Sequence, residues 1–192
     1  MSKPELIKKS GRVFIASAAA FATLLTGWDP IAIPGSLISA VLLAVAMSAL
    51  RSGYRDRIGF LGRNALILGM LGPVFWAIGL AFMAVMGEKA VGEGLWVLLF
   101  AGPAFSLLGL TLFGLTALSS KPMPRLNWLP LLTGIWYPVI FILFSIYDIS
   151  RKGVFPEQYV PLIALTVMIQ VLTLCVLGSV LVDDSSKEMA MA

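Results

Sequence analysis

"TGWDPIAIPG", Thr26 to Gly35, interrupts an apolar run from Val13 to Leu50 in which Asp29 is the one formal charge. As a single helix that run would be about 57 Å long at 1.5 Å per residue, far more than a hydrocarbon core of about 30 Å requires. Pro30 and Pro34 disfavour helix at Asp29 and Ile33, and Pro34 suits the first turn of a new helix. Trp28 belongs to a belt at the membrane–water interface. Trp28, Asp29, Pro30 and Pro34 therefore read as an interfacial turn between two helices. The apolar Ile31-Ala32-Ile33 between the prolines keeps a second reading open, a re-entrant segment that draws Asp29 into the bilayer.

Composition sets the frame for that choice. The chain has 192 residues, 59% hydrophobic and 12% charged, with a mean hydropathy of +0.94. Soluble domains carry about 25% charged residues, so a water-facing surface could not be built from so few ionic groups. The expectation is one all-α membrane domain spanning 1–192. The basic and apolar start resembles a signal peptide, but no small-x-small site follows it before Trp28, so it reads as a retained first span.

Outward from the decapeptide, six apolar segments can be delimited: 12–28, 34–50, 63–87, 94–119, 126–147 and 159–182. The third to sixth reach spanning length, and the first two are short unless Lys8, Lys9 and Arg12 snorkel to the headgroups. The distribution of positive charge tests the count. With six spans and both termini cytoplasmic, eleven of the 14 Lys and Arg residues fall inside. They are Lys3, Lys8, Lys9, Arg12, Arg51, Arg55, Arg57, Arg63, Lys121, Arg125 and Lys187. Lys89, Arg151 and Lys152 remain outside. Merging the first two spans would put the four-arginine connector on the wrong face.

Small residues suggest how the helices pack, since close backbone approach supplies the van der Waals contact that lipid does not drive. The second span carries Ser36, Ala40, Ala44 and Ser48 at strict four-residue intervals, and the first pairs Ala16 with Ala20 and Ala18 with Ala22. A tight hairpin along that stripe is expected. "GPVFWAIGL" from Gly72 and "GPAFSLLGL" from Gly102 match at five of nine positions. Each has a proline that should kink its helix and glycines seven apart, Gly72 with Gly79 and Gly102 with Gly109. Two kinked helices with such notches could nest, and a duplicated unit would suit an inverted-repeat transporter.

Chemistry-bearing residues are sparse. With no histidine, there is no imidazole ligand for haem, zinc or copper and no Ser-His or Cys-His pair. The single Cys175 forms no disulfide within the chain and reads as a small buried hydrophobe. No phosphate-binding loop or dinucleotide fingerprint occurs. Asp29, Asp148, Glu88 and Glu93 fall near the outer surface, Asp56 among arginines, and Asp183 and Asp184 after the last span. The deepest polar group is Gln170. With Thr166 and Thr173 it forms one face of the sixth helix, which should turn inward to satisfy its amide or line a small cavity. Trp76, Trp136 and Tyr137 are also deep and need partners for their N–H and O–H groups.

The connector "RSGYRDRIGFLGR", Arg51 to Arg63, is the most distinctive polar stretch. Arg51, Arg55, Arg57 and Arg63, with Ile58, Phe60 and Leu61 between them, suit an interfacial segment that contacts anionic lipid headgroups and inserts its apolar side chains. An acidic surface on another membrane subunit is the other partner such a segment fits. Basic residues placed beside apolar spans point to lipid rather than to nucleic acid.

"LFGLTALSSKPMPRLNWLPLLTGIWYP", Leu112 to Pro138, resembles a segment of small uncharacterised bacterial multi-pass inner-membrane proteins. The likeness rests on Gly114, Pro124, Arg125, Pro130, Gly134 and Pro138 and covers about a seventh of the chain. It implies a bacterial inner-membrane location and carries no activity or cofactor. The function expected is that of a non-enzymatic accessory or scaffold subunit, or a small regulatory membrane protein, working with other subunits or as a homo-oligomer and without a cofactor. The alternatives are a small transporter or channel for an uncharged or lipophilic solute, and a lipid- or quinone-binding protein.

Overall fold

A computed structural model describes residues 2–26, 29–86, 93–123, 125–135 and 160–190. Most of those residues are helical, with no strand among them. The helices are α1 (Lys3–Phe21), continued by a 3₁₀ segment (Ala22–Thr26), then α2 (Asp29–Gly53), α3 (Phe60–Met86) and α4 (Glu93–Ser120). The described part of α5 covers 129–135, and α6 is Val160–Ala190. Among the described residues three stretches are long and apolar enough to cross a membrane, Pro30–Gly53, Phe60–Phe82 and Ala164–Ser186, and Ala104–Ser120 is a shorter apolar helix.

The break at Thr26–Gly35 is shorter than expected. Helix α2 begins at Asp29, so Pro30 and Pro34 both lie inside it. Pro30 falls in the first turn, where backbone N–H groups have no helical acceptor in any case. Pro34, one turn on, removes only the bond to the Pro30 carbonyl. The second helix thus starts five residues earlier than 34. The first helix also starts early, at Lys3 rather than near Arg12, because Ser2 builds a capping box with Glu5. The Ser2 N–H donates to Glu5 Oε2 at 2.8 Å, and the Glu5 N–H donates to Ser2 Oγ at 3.4 Å. Five charged residues in its first ten make α1 amphipathic rather than uniformly apolar.

Helix α1 packs between α2 and α6, α2 between α1 and α3, and α3 between α2 and α4. Main chains meet directly where glycines allow it. A Cβ added to Gly11 would lie 2.5 Å from the Gly178 carbonyl oxygen, and one added to Gly178 would lie 2.5 Å from the Gly11 carbonyl oxygen. This reciprocal crossing, with Gly11 also against Val182 and Gly178 against Ile15, makes α1 and α6 antiparallel. On α3 and α4, Gly72 faces Gly102, while Gly109 meets Gly69 rather than Gly79. Gly79 is buried. On α5, Gly134 meets Thr111 of α4.

The α1–α2 hairpin is held by hydroxyls. Ser10 Oγ donates to the Ala46 carbonyl at 2.8 Å, Ser17 Oγ to the Ser39 carbonyl at 3.0 Å, and Ser39 Oγ to the Ser17 carbonyl at 3.0 Å. The four-residue stripe does not follow this seam. Ser36 and Ala40 are buried, Ala44 is half-buried and Ser48 is exposed. Each step of four residues turns 40° past a full rotation, so the row winds out of the interface. The buried row is instead Ala32, Ser36, Ser39, Leu43, Ala46 and Leu50, alternating steps of four and three. In α1, Ala18 is buried but Ala16 is exposed and Ala20 and Ala22 are half-buried. Ser10 and Ser17, seven apart, carry the contact.

Two perturbations test this packing by thermal unfolding of the detergent-solubilised protein. Gly178→Leu forces side-chain atoms into the Gly11 carbonyl and should lose at least about 1–3 kcal/mol, the usual cost of overpacking. Ser17→Ala with Ser39→Ala should lose about 0.6 kcal/mol per interhelical bond. Equal stability of the Gly178→Leu variant would show that the two main chains do not touch.

Candidate functional site

The end of the molecule at which α1 starts gathers most of the charge. The α2–α3 connection is a tight turn in which the Arg57 and Ile58 N–H groups both donate to the Tyr54 carbonyl, at 2.9 and 3.1 Å. Tyr54 and Ile58 turn into the core at 1% and 3% exposure. Arg55, Asp56 and Arg57 are left on the surface. Ile58 is therefore not one of the lipid-inserting side chains expected of this stretch, because the turn that exposes the arginines points it inward. Phe60 and Leu61, at 72% and 71% exposure, do project outward.

The second connection, between α4 and α5, meets the first. Arg57 Nη1 donates to the Pro122 carbonyl at 3.5 Å. Asn127 clasps the main chain of Met123 from both sides: its Nδ2 donates to the Met123 carbonyl at 2.8 Å and its Oδ1 accepts from the Met123 N–H at 3.0 Å. Lys121 and Leu126 adopt positive φ, 45° and 51°, and so turn the chain sharply on either side of Met123. Helix α6 ends at this same end, with Asp184 and Ser185 buried. Burial of Asp184 was not legible because the last span was expected to finish at Val182.

Lys3 pairs with Asp56 and ties the start of α1 to the α2–α3 turn. The hydrogen bond from Lys3 and then its charge hold the Asp56 carboxyl below its ordinary pKa, with Arg55 and Arg63 adding smaller pulls. Arg51 and Arg63 are half-buried, and the Nε of each is fully buried without a hydrogen-bond partner among the described residues.

The other expected site lies towards the opposite end of α6. Gln170 is buried at 9% exposure, and Thr166 and Thr173 are half-buried. Thr173 Oγ1 donates to the Gln170 carbonyl at 3.1 Å within the helix. The face thus contains one buried amide flanked by threonines, one of which is satisfied by its own backbone. Trp76 is buried and meets Phe21 edge-on, with centroids 5.7 Å apart. Cys175 is half-buried against the core. Among the described residues no three His, Cys, Asp or Glu side chains converge as metal ligands would. Trp28, Glu88, Lys89, Pro124, Trp136, Tyr137, Pro138, Asp148, Arg151 and Lys152 lie outside the described residues. So do the side chains of Asp29, Glu93, Trp96 and Lys187.

The Lys3–Asp56 pair predicts a pH dependence. A carboxyl whose pKa is depressed on folding adds stability above its unfolded pKa and loses it as pH falls through the folded value. Wild type should therefore exceed Asp56→Asn slightly in melting temperature near neutral pH, and the gap should close below the carboxylate range. An unchanged gap across that range would exclude the pair as its source.

No family model matches the chain, and neither a curated relative nor a solved structure does.

Proposed function

We propose that this chain is a six-span protein of the bacterial inner membrane, with both ends on the cytoplasmic side, serving as a non-enzymatic accessory or scaffold subunit. The observation that carries the topology is the antiparallel crossing of α1 and α6 at Gly11 and Gly178. It brings the start of the first helix and the end of the last to one end of the molecule, beside the arginine turn. An even number of crossings requires that arrangement, and charge bias assigns that end to the cytoplasm.

The accessory role is supported by how polar groups are used. The hydroxyls of Ser10, Ser17, Ser39, Ser106 and Thr133 all donate to main-chain carbonyls. They hold or satisfy helices rather than converge on a shared point. Meanwhile α2, α3, α4 and α6 each expose large apolar side chains, a surface that suits lipid or the flank of another membrane subunit. Purification from native membranes in mild detergent tests the role. A companion chain in fixed ratio is expected, and a chain that runs alone would count against it. Topology is tested separately: from outside the cell, Lys89→Cys should react with an impermeant maleimide and Arg55→Cys should not. The reverse pattern would overturn the orientation.

A second reading, passage of a small uncharged solute, rests on Gln170, which is 9% exposed and whose amide atoms are not sealed from the surface. If the amide lines a path, Gln170→Leu should slow glycerol or urea entry into proteoliposomes. Unchanged flux would remove this reading.

A further inference from the structure

We infer that the outer groove between α2 and α3, at the end bearing Arg51 and Arg63, binds the phosphodiester of an anionic phospholipid, with an acyl chain lying along the groove. The inference rests on the membrane reading of these helices and not on the accessory role.

The geometry follows from one contact and the helix period. A Cβ on Gly69 would lie 2.8 Å from Met47 Sδ, which fixes the register of α3 on α2. Arg51 is one turn beyond Met47, about 40° further round at 3.6 residues per turn. The residues that bond to α1, Ser39 and Ala46, lie on the other side of Met47. On α3, Arg63 lies about 120° round from Gly69, away from the side on which Gly72 meets Gly102 of α4. Both arginines therefore border the same groove, on its outer side, and the shared register places them within a turn of each other. Their half-burial agrees with this position.

Chemistry then selects the occupant. A guanidinium has five N–H donors and cannot lose its charge; the Nε of each of these two is sealed inside the protein, so a ligand reaches their terminal N–H groups, for which no acceptor stands among the described residues. The carboxylate in the connecting turn, Asp56, is engaged by Lys3. The anion that completes the pair reaches a rim where Phe60, about 60° round α3 from Arg63, projects outward and the exposed apolar Ile67 and Leu71 follow. A phosphodiester with attached acyl chains has both properties, and arginine matches its oxygens bidentately. The α2 wall of the groove carries the small side chains of Ala44, half-buried, and Ser48, exposed, the outer part of the small-residue row.

Native mass spectrometry of the full chain in detergent, titrated with phosphatidylglycerol or phosphatidylcholine, tests this. Wild type should retain phosphatidylglycerol preferentially. Arg51→Gln with Arg63→Gln should weaken its binding roughly thirtyfold. Lys9→Gln with Arg12→Gln, on the exposed face of α1, should not. Ala44→Leu fills the groove without touching charge and should also weaken binding, which keeps the test decisive if the arginine variant fails to fold. Equal retention of the two lipids, or unchanged binding in the arginine and Ala44 variants, would overturn the site. So would displacement of phosphatidylglycerol by inorganic phosphate alone, which would mark a free-anion site. Because cysteine labelling reads orientation independently, failure here leaves the membrane reading standing.

Discussion

The approach of α1 to α6 is limited by main chain, and Gly11 and Gly178 set that limit. Each leaves its Cβ position to the other's carbonyl oxygen. That single crossing ties the first helix to the last, and the antiparallel sense of the pair determines where both ends of the chain lie. Along α1 the next layer is the serine pair at positions 10 and 17, which turns the opposite flank towards α2. One helix with glycine on one flank and serine on the other thus joins the two halves of the fold.

Much of this was legible in the residues, and the failures have physical causes. The helical class follows from composition and from apolar stretches of spanning length. The division at Thr26–Gly35 was found, but its extent was overestimated because proline was treated as a boundary. In the opening turns of a helix proline removes few bonds that would otherwise be made, and α2 runs through both prolines. A strict interval of four among small residues is not a helix face. The seam uses steps of three and four, which a count of repeats at one spacing cannot find. Gly11 and Gly178 went unnoticed because a lone glycine in each helix has no local pattern. Their pairing is visible only across some 160 residues of intervening chain.

The basic end shows the same gap between pattern and placement. The sequence identifies four arginines and three apolar residues as an amphipathic connector, but not which of them the turn buries. The Tyr54 carbonyl, accepting from two successive N–H groups, decides that by curling the chain so that Ile58 joins Tyr54 in the core. Four arginines that look equivalent then divide. Arg57 reaches the α4–α5 connection, Arg55 stays on the surface, and Arg51 and Arg63 are drawn half into the protein.

That division matters because the fold uses its other polar groups economically. Most serine and threonine hydroxyls go to carbonyls, Asn127 goes to the main chain of Met123, and Asp56 goes to Lys3. Among the sealed atoms left without a partner are the Nε of Arg51 and Arg63 at one end and Ser36 Oγ towards the other. They differ in kind. A hydroxyl is neutral, and the helix can bear one unpaired hydroxyl for a modest cost. A guanidinium keeps its charge at any accessible pH, and the cost of enclosing it without an acceptor rises as water is excluded. Of the two ends, the arginine end is therefore the one where the protein's own atoms leave the larger electrostatic demand. It is also the end where exposed Phe60, three residues before Arg63, places an apolar surface beside that demand.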